Sequence, residues 1–114
     1  DLQNDMKKQG RPWSIGKGFD HSAPIGPITP AAQAGNVGKA GIWVQVNGVD
    51  RQRSNVAQLI WNIAETIEHL SAAWELQPGD LIYTGTPEGV SAVVTGDVLE
   101  GGVDGLGSIR LKLV

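Results

Sequence analysis

The sequence is 114 residues long, 40% hydrophobic and 18% charged, with a formal net charge of −3 and no cysteine. That apolar share supports a packed core, the low charge excludes a disordered chain, and the lack of a basic run interleaved with aromatics excludes a nucleic-acid surface. Without cysteine there is neither a disulfide nor a thiolate metal site, and no run of about 18 apolar residues is present to cross a membrane.

Sixteen glycines and six prolines imply many turns, which favours a β-rich chain over a helix bundle. Residues 1–9, DLQNDMKKQ, suit a short helix, with Leu2 and Met6 on one face and Asp1 at the favourable end of the helix dipole. Gly10 is its expected stop and Pro12 forbids continuation. Residues 13–41 show no sustained periodicity and are cut by Pro24, Pro27 and Pro30. IWVQV, 42–46, reads as a strand, Asn47-Gly48 as a hairpin turn and VDRQR, 49–53, as the return strand.

The clearest helix is expected over about 55–73, where Val56, Leu59, Ile60, Ile63, Ile67 and Leu70 form one apolar stripe. Asn55 with Gln58 resembles a capping box at its start. Gln77-Pro78-Gly79-Asp80 has the residue preferences of a type II turn. LIYT, 81–84, reads as a short strand, GTPEG, 85–89, as a turn, and 90–95 and 97–100 as weaker strands. SIRLKLV closes the chain as a half-buried strand, alternating Ile109, Leu111 and Leu113 with Arg110 and Lys112. The expectation is one α+β, β-rich domain over 1–114, its single main helix packed on the sheet.

Spacing rules out a phosphate loop and favours ordinary polar or capping roles over metal ligation for Asp20 and His21. Gly10 and Gly16 are separated by five residues, Gly18 stands where a phosphate loop needs Ser or Thr, and no helix pattern follows Lys17. Asp20 and His21 are adjacent and point to opposite faces of an extended chain, His69 has no partner at i+4, and no E-x-E cluster is present, so no metal ligands are assigned.

Two stretches remain. In WSIGKGF, Lys17 is flanked by glycines and apolar residues, so its ammonium either projects into a pocket to neutralise an oxyanion or enolate, or is a solvated loop lysine. In GDLIYTGTPEGV, Gly85 permits close approach of a ligand and Thr86, held extended by Pro87, offers a hydroxyl to a small carboxylate. The same residues also suit a tight connection between strands.

Together, DLQ, GRPWSIGKGFDHSAPIGP, VNGVDRQRSN, LQPGDLIYTGTPEGV and GLGSIRLKLV resemble the fumarylacetoacetate hydrolase family over the whole chain. PGD-x-x-x-TGTP-x-GV is the most specific block, and GRPWSIGKGFDHSAPIGPI is most similar to the acylpyruvate-cleaving branch, fumarylpyruvate hydrolases above all. The absence of cysteine fits a reducing, cytoplasmic setting. The resemblance implies a mixed β-sandwich roll, a homodimer, and a Mg²⁺ or Mn²⁺ ion that chelates a 2-keto acid while water cleaves a carbon–carbon bond to release pyruvate. By position, Lys17 matches the family's active-site lysine, Gln3 a substrate-contacting glutamine, and Thr86, with Gly85 before it, a contact to the substrate carboxylate.

The family's E-x-E pair, metal-binding Asp and lid residues have no counterpart among these residues. The chain also opens without Met, so it is expected to be the C-terminal part of a longer catalytic domain. Other readings are an isomerase or decarboxylase of the same family acting on 2-keto or enol dicarboxylic acids, and a non-catalytic module.

Overall fold

A computed structural model describes residues 1–114. Helix α1, Leu2–Lys8, ends at Gly10. The Arg11 N–H reaches the Met6 carbonyl at 3.0 Å and the Gly10 N–H the Lys7 carbonyl at 3.2 Å. This Schellman closure needs the left-handed backbone that Gly10 adopts at φ 62°. Short 3₁₀ turns follow at Ser14–Gly16, Ala31–Gln33 and Val37–Lys39.

Four strands then form one antiparallel sheet: β1 Gly41–Val46, β2 Val49–Asn55, β3 Val98–Val103 and β4 Gly107–Lys112, in the order β2-β1-β3-β4. Asn47 (φ 52°) and Gly48 (φ 79°) make the tight turn between β1 and β2. Asn47 also reaches across to β3, its side chain accepting from the Val98 N–H at 2.9 Å and donating to Asp97 at 2.8 Å.

The register separates the two faces. Val44 pairs with Gly101, Val46 with Leu99, Leu99 with Leu111 and Gly101 with Ile109, which gathers the aliphatic side chains on one side. Trp43, Glu100 and Arg110 occupy the other. The expected alternation in β4 is present, with Ile109 and Leu111 half-buried and Arg110 and Lys112 exposed. A β-bulge interrupts β2: Val44 faces Gln52 and Gln45 faces Asp50, so Arg51 is the extra residue.

The helix expected over 55–73 is shorter. Asn55 is still held in the sheet opposite Gly41, the Val56 N–H bonds the Ala40 carbonyl at 2.9 Å, and the chain turns extended again at Leu59 (φ −57°, ψ 134°), so only a single turn forms here. Asn55 instead caps a 3₁₀ turn, Val56–Gln58, by accepting from the Ala57 N–H at 2.8 Å. The α-helix α2 is Ile63–Ala73, opened by a complete capping box in which Asn62 accepts from the Glu65 N–H and Glu65 from the Asn62 N–H. Its stripe is not sealed against the sheet: Ile60 is 97% exposed, Ile63 43% and Ile67 44%.

The expected strands at 81–84 and 90–95 are not formed: neither segment joins a ladder, and the second runs into a turn closed by the Asp97 N–H on the Val94 carbonyl at 3.1 Å. Val46 alone is buried, at 6% exposure, and the chain exposes 9,024 Å². A closed monomer of this mass exposes roughly 6,000 Å². The sheet and α2 thus keep apolar surface open.

Candidate active site

A close approach of backbone sets Gly16, the neighbour of Lys17, against Gln3. Gly16, at the end of the first 3₁₀ turn, lies against α1 so closely that a Cβ there would stand 2.9 Å from the Gln3 nitrogen and 3.0 Å from its Cα. The turn itself is fixed by Ser14, whose carbonyl accepts from the Lys17 N–H at 3.0 Å and the Gly18 N–H at 2.9 Å. Gln3 is half-buried and Lys17 is exposed. The two ion pairs of the chain, Lys8–Asp5 and Arg53–Asp50, leave the Lys17 ammonium without an anionic partner.

Gly85 and Thr86 lie on a second loop that leans on the bulged strand. Gly85 has φ 96°, which only glycine adopts without strain. The Thr86 hydroxyl is 2.8 Å from Gln52 Nε2 and 3.1 Å from Gln52 Oε1. The same Nε2 donates to the Pro87 carbonyl at 2.6 Å and approaches that of Glu88 at 3.2 Å. Gly89, at φ 98°, packs on the carbonyl of Arg51, the bulge residue, where a Cβ would overlap the oxygen. Val90 and Val93 line a shallow depression together with Val44, Val46 and Leu99 of the aliphatic face.

One contact ties the two loops together: the Tyr83 hydroxyl donates to the Ala23 carbonyl at 3.1 Å. No hydrogen bond or ion pair joins Lys17 or Gln3 directly to Thr86. Another surface depression lies elsewhere, lined by Val56, Leu59, Asn62 and Ile63. It is apolar and carries no ionisable group, so we place no chemistry there.

No three His, Asp or Glu side chains converge. The residues present therefore do not form the oxygen cage that a Mg²⁺ or Mn²⁺ ion needs. Asp20 and His21 sit in a tight turn, with His21 at φ 61°. Gln52, Tyr83 and Gly89 were not among the residues expected from sequence. For Gly89, its place after TGTPE was the available signal.

The whole chain, residues 1–114, matches the family model described as fumarylacetoacetate (FAA) hydrolase C-terminal. The chain belongs to the fumarylacetoacetate hydrolase family. A fumarylpyruvate hydrolase of Ralstonia is 49% identical over 99% of the chain, which covers 58% of that protein. The crystal structure of fumarylpyruvate hydrolase from Pseudomonas aeruginosa in complex with Mn²⁺ and pyruvate superposes with a TM-score of 0.94 at 56% identity, over 100% of this chain and 49% of that one. The mitochondrial oxaloacetate tautomerase of Rattus norvegicus is 38% identical over 99% of the chain, which covers 51% of it. The chain thus spans about half the length of the curated relatives it matches.

Within this family the fold expectation holds: a β-rich α+β arrangement with one main helix, α2.

Proposed function

We propose that this chain forms the lysine, glutamine and threonine side of a metal-dependent acylpyruvate hydrolase, with fumarylpyruvate as substrate and fumarate and pyruvate as products. The observation that carries the reading is the 56% identity and 0.94 TM-score to a fumarylpyruvate hydrolase whose structure holds Mn²⁺ and pyruvate. The seating of Gln3 against Gly16, beside an unpaired Lys17, supports it.

The proposed roles follow from chemistry. Water adds to the distal carbonyl of the 1,3-diketone, and the bond from that carbon to the methylene breaks. Its electron pair passes into the pyruvate enolate, which then takes a proton at carbon. Lys17 offers a fixed positive charge to the enolate oxygen as charge develops there, an interaction stronger in the transition state than in the ground state. The Thr86 hydroxyl donates to the substrate carboxylate and Gln3 contacts the same keto acid. These residues do not supply an ion cage, so each role belongs to the chain's own side chains. Closure of the exposed site falls to surfaces that cover it in the whole protein, which we read as a cytoplasmic homodimer.

The second reading, a tautomerase or other enol-handling enzyme on the same scaffold, is favoured by the 38% identity to an oxaloacetate tautomerase. Incubating the whole protein and Mn²⁺ with fumarylpyruvate or oxaloacetate separates the two. Stoichiometric pyruvate and fumarate from the first substrate supports the hydrolase. Keto–enol interconversion of the second with no carbon–carbon cleavage of the first supports the tautomerase and overturns it.

A further inference from the structure

Gln52 is a polar residue on the aliphatic face of the sheet, and the bulge puts it there. In β2 it stands opposite Val44, in line with Gly101 and Ile109. Its amide has two N–H donors and one carbonyl acceptor. One donor serves the Pro87 carbonyl at 2.6 Å, and the other the Thr86 oxygen at 2.8 Å. The Gln52 carbonyl oxygen lies 3.1 Å from the same hydroxyl and accepts its proton.

The Thr86 hydroxyl is therefore held twice by one amide, and the two contacts differ in consequence. The bond from Nε2 uses an oxygen lone pair and leaves the hydroxyl proton free to turn. The bond to Oε1 parks that proton while no carboxylate is present. When a carboxylate arrives, the proton turns to it while Nε2 keeps its hold and polarises the O–H, strengthening the new bond. We propose that Gln52 is a positioning residue for substrate carboxylate binding, acting through the Thr86 hydroxyl. This rests on the role given to Thr86 above.

The contrasting possibility is that Gln52 only staples the loop through the Pro87 and Glu88 carbonyls. A double-mutant cycle in the whole protein distinguishes them, using Gln52→Leu, Thr86→Val and the pair, with fumarylpyruvate kinetics and with pyruvate as a competitive probe. We expect each single change to raise KM and the pyruvate inhibition constant about tenfold, the effect of one hydrogen bond, with a much smaller fall in kcat. The pair should be little worse than Thr86→Val alone.

Gln52→Glu keeps the length and loses the donor. It should raise KM at least as much, and it keeps the test decisive if Gln52→Leu folds poorly. If Gln52→Leu and Gln52→Glu raise KM as strongly in the Thr86→Val background as in the wild type, Gln52 is a staple and the proposal fails alone. If Thr86→Val leaves both constants unchanged, the reading of Thr86 fails and this proposal falls with it.

Discussion

Gly16 and Gln3 are in backbone contact: a Cβ on Gly16 would stand 2.9 Å from the Gln3 nitrogen. Gly18, two residues on, is different, because its nearest obstacle would be the Ser14 carbonyl at 3.7 Å. Gly16→Ala should therefore cost about 1–3 kcal/mol of stability through overpacking. Gly18→Ala should stay within about 0.5 kcal/mol. Chemical denaturation of both variants checks this, and equal losses would mean that the Gln3 contact does not need a glycine.

The apolar stripe of α2 gives a second test. A fully buried isoleucine loses about 2–5 kcal/mol on truncation to alanine. Ile63 is 43% exposed here, so Ile63→Ala in the 114-residue chain should cost only about 1 kcal/mol. A loss above about 2 kcal/mol would show that the stripe is covered in solution, by a second copy or by closure of the helix on the sheet.

Asp97 makes stability acid-sensitive. Its carboxylate accepts from the Val94 N–H at 2.9 Å and from Asn47 at 2.8 Å, and Arg51 adds a favourable charge, so its pKa lies below the usual 3.8. A carboxyl depressed on folding contributes stability above its unfolded pKa and loses it as pH falls through the folded one. The stability gap between wild type and Asp97→Asn should thus be constant near neutrality and shrink as pH falls below about 4. Thermal melts across that range measure it, and a gap that widens on acidification would contradict the assignment.

Titrating the 114-residue chain with Mn²⁺ while following water-proton relaxation should show binding no tighter than background, because no carboxylate cage is present. A tight one-to-one complex would mean that Asp20, His21 or another group serves as a ligand after all.

Much of this architecture is legible in the sequence because it rests on local chemistry. Asn47-Gly48 fixes the hairpin, Gly10 ends α1, and the alternation at Ile109 and Leu111 gives β4 its inner face. The start of α2 was misplaced because Asn55–Gln58 and Asn62–Glu65 both fit a capping pattern. Asn55 caps only a 3₁₀ turn, because the chain leaves the helical conformation at Leu59 (φ −57°, ψ 134°), and α2 starts at the second pattern.

The misses at the site have a similar origin. A regular hairpin with a two-residue turn would set Arg51 opposite Val44 and turn Gln52 to the Trp43 face. The bulge at Arg51 shifts the register by one and reverses that. Nothing local in VDRQR announces a bulge, so the hold of Gln52 on Thr86 becomes visible only in three dimensions. Lys17, Gly85 and Thr86 are candidates on local chemistry and Gln3 on the family resemblance alone; periodicity points to none of them, since they lie on a short helix and two loops.

The most direct test is the turnover of fumarylpyruvate by the whole protein with Lys17→Met. Methionine keeps most of the apolar stem and removes the charge. If Lys17 stabilises the enolate, kcat should fall by roughly 10²–10³, the effect of losing one preorganised oxyanion contact. The melting temperature should change little, since Lys17 is exposed and makes no ion pair. A variant that releases pyruvate at a near-normal kcat would make SIGKGFD a structural loop and contradict the account.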